Sequence, residues 1–120
     1  MSVRNAVALK QVGAGGFHSS SGASVEIDLT SVFQTDSGKK ARYLRVESRQ
    51  VTTTANEDGA CLLPGVAGLV GTDPGSTGIM TTFGHPVVID VQGYDSLYVE
   101  NVTGGTNVSL YLTPVEPVFE

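Results

Sequence analysis

His18 and His85 are the only imidazoles in this chain of 120 residues. Imidazole is the side chain best suited to act as a general base or a zinc ligand near neutral pH. Each of the two stands next to Gly or Ser in loop-like sequence, and a surface or hydrogen-bonding role is the reading favoured for both. A Ser-His-Asp hydrolase needs a placed nucleophile, and no Gly-x-Ser-x-Gly elbow occurs. Gly13-Ala14-Gly15-Gly16 has the glycine density of a phosphate loop. It lacks the Lys-Ser/Thr of a P-loop and the strand–turn–helix setting of a dinucleotide site. Glu57, Asp58 and Asp73 would hold calcium only if their loops converged, and their spacing fits no EF-hand. Solvated loop carboxylates are the simpler expectation. Cys61 stands alone, which excludes an internal disulfide and gives no zinc spacing. Within Ala60-Cys61-Leu62-Leu63 it reads as a small buried apolar residue. No set of residues spells out a reaction, so the chain is expected to be no enzyme and to carry no cofactor.

Recognition chemistry is better supplied. Every lysine and arginine lies in the first 49 residues, and from Gln50 to Glu120 there are eight acids and no basic side chain. Lys39, Lys40, Arg42, Arg45 and Arg49 fall within eleven residues. Such a split suits a surface that docks onto something, a neighbouring copy included. On an extended strand Tyr43, Arg45, Glu47 and Arg49 share one face, opposite Leu44 and Val46. The candidate partner-contacting residues are therefore Arg42, Tyr43, Arg45 and Arg49, with Tyr98 and Tyr111 from the C-terminal third. Arg45 and Arg49 are expected to meet carboxylates. A solvated outer face is the plain alternative for these cations, and packing beneath the glycine-rich middle is the alternative for the two tyrosines.

The elements that must position these residues are strands. Ser24–Leu29 alternates, with Val25, Ile27 and Leu29 on one side and Glu26 and Asp28 on the other. Asp36-Ser37-Gly38 makes a turn, and Arg42–Arg49 alternates again. Residues 56–85 hold seven glycines and two prolines; a helix there would cost about 1 kcal/mol per interior glycine, so a long excursion with one or two short strands is expected. Val87, Ile89 and Val91 alternate with Val88 and Asp90. Ser96–Val102 and Asn107–Thr113 flank Thr103-Gly104-Gly105-Thr106, whose two glycines suit a type I′ turn. A hairpin about that turn sets Val99 opposite Leu110 and Leu97 opposite Leu112, and pairs Tyr98 with Tyr111 on the other face. Pro114 and Pro117 are expected to end the last strand. The division expected is an N-terminal arm over 1–23, with at most one strand near Val7–Val12, a sandwich domain over 24–114 and a tail over 115–120.

Bulk numbers agree with one all-β domain. Charged residues make up 16 %, glycine occurs 15 times and Trp is absent, a composition that favours strands and turns. A net charge of −5 argues against nucleic-acid binding, which needs an excess of cations. Neither a signal-peptide core nor a run of about 18 apolar residues is present, so no membrane partner is expected. Short strands with turn signals between them predict an antiparallel β-sandwich or jelly roll with an extended N-terminal arm.

The Gly/Ser/Thr/Val-rich composition, the loose arm and the closing segments Ser96-Leu97-Tyr98-Val99-Glu100 and Val108-Ser109-Leu110-Tyr111-Leu112-Thr113-Pro114 resemble the small all-β accessory proteins of tailed bacteriophages. Within that group the chain is most similar to capsid decoration, or cement, proteins. The resemblance implies a trimer on the virion surface that binds the major capsid protein and bridges neighbouring capsomers. A carbohydrate- or receptor-binding sandwich of a phage tail is the second reading; it asks for exposed aromatics, which Tyr43, Tyr98 and Tyr111 could supply.

Overall fold

A computed structural model describes residues 6–20, 25–49, 60–65, 79–82, 84–101 and 108–119. Within them run nine strands: β1 (Ala6–Gln11), β2 (Gly16–Ser20), β3 (Val25–Asp28), β4 (Tyr43–Arg49), β5 (Ala60–Gly65), β6 (Ile79–Thr81), β7 (Val87–Asp90), β8 (Ser96–Asn101) and β9 (Val108–Phe119). There is no helix among the described residues. All pairings are antiparallel, and they build two sheets. Sheet A runs β1-β9-β4-β7, with β2 also on β9; sheet B runs β3-β8-β5-β6. The chain is thus an all-β antiparallel sandwich.

The pairs are nested. β5 joins β6, β4 joins β7, β3 joins β8, and β1 and β2 join β9. A chain doubled back at its middle and then rolled gives this order, because each step outward along the doubled chain changes sheet.

Alternation explains which side chains the layers enclose. Ile27 is buried between exposed Glu26 and Asp28, and Ile89 between exposed Val88 and Asp90. Leu44 and Val46 of β4, Leu97 and Val99 of β8, and Leu110 and Leu112 of β9 are all fully buried in one core. Each such Leu or Val contributes about 1.5–3 kcal/mol by leaving water. The inward faces are those expected from the sequence. Two short strands, β5 and β6, fall in the glycine-rich middle, and Cys61 is buried, also as expected.

The expected hairpin is not found. β8 lies in sheet B between β3 and β5, where Val99 is opposite Val25 and Leu62. β9 lies in sheet A, where Leu110 is opposite His18 and Ser48. Tyr98 and Tyr111 therefore stand on different sheets. The glycines at 104 and 105 lie outside the described residues. Both strands turn the same residues inward because they face one core from opposite layers, not because they are neighbours.

The ends of the chain also differ from expectation. Residues read as a free arm supply β1 and β2 to sheet A, and residues read as a tail continue β9 to Phe119. β9 passes through both prolines because neither removes a needed bond. In an antiparallel strand successive residues point their N–H and C=O groups to alternate sides. Pro114 points to the β1/β2 side, where its carbonyl accepts from Val12 N–H at 3.0 Å in the gap between those strands. Pro117 points to the other side, beyond Tyr43–Val115, the last β4–β9 pair. There its missing N–H meets no strand among the described residues.

Candidate interaction face

β4 is central in sheet A, so its outward residues sit at the middle of the sheet's outer face. The register carries this face outward in rows. Glu47 is opposite Tyr111, which is opposite Phe17; Val88, Arg45 and Thr113 make the next row; Asp90, Tyr43 and Val115 the one after. Four of the six candidate residues, Arg42, Tyr43, Arg45 and Tyr111, thus belong to one neighbourhood. Arg49 ends β4 opposite Ser109, and its side chain lies outside the described residues.

Two distal residues belong to the same face, and sequence reasoning missed one of them. Phe17 is 54 % exposed and packs edge-on against Tyr111, with ring centroids 4.8 Å apart at 71°. Val88, assigned to the outward side of β7, is 43 % exposed. Phe17 joins Tyr111 only through a pairing that spans most of the chain, and no local pattern signals it. Edge-on aromatic pairs contribute about 0.5–1.5 kcal/mol beyond their burial, so this pair is fixed in place while offering one ring to solvent.

The charges of the face are partly spent internally. Arg45 Nη1 donates to Glu47 Oε2 at 2.8 Å. Arg45 thus meets a carboxylate of its own strand, because residues two apart on a strand share a face. The pair is partly exposed, and such pairs contribute about 0–1 kcal/mol. Arg42 lies over the Tyr43 ring, 5.8 Å from its centroid, and donates to Gln92 Oε1 at 3.4 Å. This cation–ring geometry holds the guanidinium near the β4 entrance.

Tyr98 does not belong to this face. It is 5 % exposed on sheet B, and its hydroxyl donates to Glu26 Oε2 at 2.7 Å. A Cβ on Gly65 would come within 2.6 Å of its ring. The missing side chain at 65 gives the ring its seat, so Tyr98 is a packed residue of sheet B.

The histidines divide. His85 is exposed in a turn, where its N–H donates to Thr82 O at 2.9 Å. His18 is not in a loop: it sits on β2 in a row with Leu110 and Ser48 on the inner face of sheet A. Its Nε2 and Ser48 Oγ are buried and have no hydrogen-bond partner among the described residues. Burial holds the His18 imidazole below its ordinary pKa. The neutral form is thus the folded form, and below pH about 6.5 the unfolded chain binds the extra proton. Stability is fully present above the unfolded value and falls as pH drops through the lower folded one. Urea titrations between pH 7.5 and 5 should show the midpoint dropping with acidity, and His18→Leu should flatten that slope. An unchanged slope in the variant would assign the pH dependence elsewhere.

Among the described residues, no group of three or more His, Cys, Asp or Glu side chains could hold a metal ion. Glu57, Asp58 and Asp73 lie outside them. No helix among the described residues is long and apolar enough to cross a membrane. No family model, curated protein or solved structure matches this chain.

Proposed function

We propose that this protein is a structural component of a tailed-phage virion. It decorates the capsid shell as a homotrimer and cements neighbouring copies of the major capsid protein. The observation that carries the reading is the nested strand order. If β1 and β2 are taken as one interrupted strand, the eight strands change sheet at every step except the central one from β5 to β6, in the manner of a jelly roll. That architecture recurs in viral capsid and lectin domains.

Support for self-assembly comes from the ends of the chain. Beyond Tyr43–Val115, the residues Glu116–Phe119 pair, among the described residues, with β1 alone. This two-stranded ribbon exposes Leu9 at 46 % and Val118 at 40 %. A two-stranded ribbon is marginal in water without something packed on it, and a neighbouring subunit would supply the cover. The outer face of sheet A, with Phe17, Tyr111 and Val88, supplies a second contact of the mixed aromatic character found in interfaces.

Light scattering should give the mass of three chains, and the protein should co-sediment with capsids of the phage that encodes it. A monomer at all concentrations, together with no capsid binding, would overturn the assembly reading. A receptor- or carbohydrate-binding role is favoured by one observation, the Phe17 ring held out by Tyr111. A glycan array separates the two, since a cement protein should bind no sugar.

A further inference from the structure

Four of the seven cationic side chains line a single cleft at the margin of sheet A. Lys10 comes from β1; Lys39, Lys40 and Arg42 come from the connection that enters β4. Asp36 and Glu116 stand on the same walls. The cleft is open to solvent and has a volume of about 470 Å³.

The convergence is built by backbone bonds. Asp36 N–H donates to Val12 O at 2.8 Å, which ties the Thr35–Lys39 turn to the junction between β1 and β2. Within the turn, Thr35 N–H donates to Lys39 O and Gly38 N–H to Thr35 O, each at 2.9 Å. Gly38 takes a φ of +77°, which a side chain would resist. Lysines 29 residues apart in sequence thereby share one frame.

None of the cleft's cations has a carboxylate partner among the described residues, unlike Arg45 on the outer face. Arg45–Glu47 is the one ion pair among the described residues, and it lies outside the cleft. The ammonium groups of Lys10 and Lys39 have no partner among the described residues. Lys40 donates to the carbonyls of Val91 and Tyr94 and keeps one N–H in reserve. Arg42 spends one donor on Gln92, leaving enough of its fork for a carboxylate. The carboxylates of Asp36 and Glu116 are likewise unpaired within the described residues.

We infer that this cleft binds an extended, carboxylate-rich peptide segment of a partner protein. Lys10, Lys39 and Arg42 take the partner's carboxylates, while Asp36 and Glu116 accept from its backbone N–H groups. The two wall carboxylates are what select a peptide. A nucleic acid or polyphosphate offers dense negative charge and few donors, so Asp36 and Glu116 would repel it. The chain's overall charge of −5 does not oppose an acidic peptide at contact, because distant charges are screened over about 8 Å at physiological salt. The inference goes beyond the assembly reading and stands without it, since a soluble peptide suffices to test it.

The probe is a fluorescent heptapeptide of alternating serine and glutamate, titrated with the full chain at low salt. Wild type should bind it saturably and more weakly as salt rises. Lys10→Glu with Lys39→Glu should bind about tenfold more weakly while melting like wild type. Should that double reversal melt early, Lys10→Gln with Lys39→Gln gives the same reading with a loss of about threefold. Inorganic pyrophosphate and a single-stranded oligonucleotide should compete poorly. No saturable peptide binding, equal binding by the lysine variants, or tighter binding of the oligonucleotide or pyrophosphate would each overturn the inference. Peptide binding without capsid binding would leave the cleft standing and remove only the assembly reading.

Discussion

Leu112→Ala is expected to lower the unfolding free energy by about 3–4 kcal/mol. Leu112 has no exposure and lies on β9, the strand that pairs with β1, β2 and β4. Its cross-strand partners are Val46 on one side and Gly16 on the other. Gly16 has no side chain of its own, and the Phe33 ring beside it is already packed against the core, so little can move into the space and the cost sits in the upper part of the Leu→Ala range. Against a total of about 5–15 kcal/mol, that is a large fraction of the fold's stability. The melting temperature should fall by roughly 10 °C or more, with the denaturant slope unchanged. Val118→Ala is the contrast: at 40 % exposure it should cost within about 0.5 kcal/mol. A Leu112→Ala loss below about 1 kcal/mol would place this residue outside the core.

The same strand shows what the sequence could and could not convey. Alternation identifies inward residues, and Leu44, Val46, Leu97, Val99, Leu110 and Leu112 are all fully buried as expected. Alternation carries no information about which sheet a strand joins. Two strands with matched faces and a glycine-rich link satisfy the hairpin pattern as well as the pattern of two layers facing one core. In this chain the nested pairing decides: β3 and β5 occupy both sides of β8, and β2 and β4 both sides of β9. The prolines misled for a related reason. Pro114 and Pro117 break a strand only where an N–H is required, and that depends on neighbours contributed by residues about 70 and 100 positions earlier. The candidate face was legible along β4, where Tyr43 and Arg45 follow from period two. Phe17 and the approach of Lys10 to Lys39 depend on long-range register, so no local pattern contains them.

Gly13→Ala should cost about 2–3 kcal/mol and loosen the basic cleft, although it adds one methyl group. A Cβ at this position would meet Gln34 O at 2.3 Å, Pro114 Cγ at 3.0 Å and Thr35 Cα at 3.1 Å. Two of these three atoms are backbone, which cannot swing aside as a side chain can. Gly13 is also held from its own side, because Gln11 Nε2 donates to its carbonyl at 2.8 Å. Relief must come from the 34–36 segment moving away from the β1–β2 junction, and that movement breaks the bond from Asp36 N–H to Val12 O. Gly38 makes the useful comparison: nothing lies within 4 Å of a Cβ there, and its φ of +77° leaves only the conformational cost of about 1–2 kcal/mol. Hydrogen exchange separates the two variants. In Gly13→Ala the Asp36 amide should exchange much faster while the β4 amides stay protected, and affinity for the alternating serine–glutamate peptide should fall with it. In Gly38→Ala the Asp36 amide should stay protected. If Gly13→Ala melts like wild type and keeps its Asp36 amide protected, the loop does not rest on the junction, and the frame that brings Lys10 to Lys39 is not the one described.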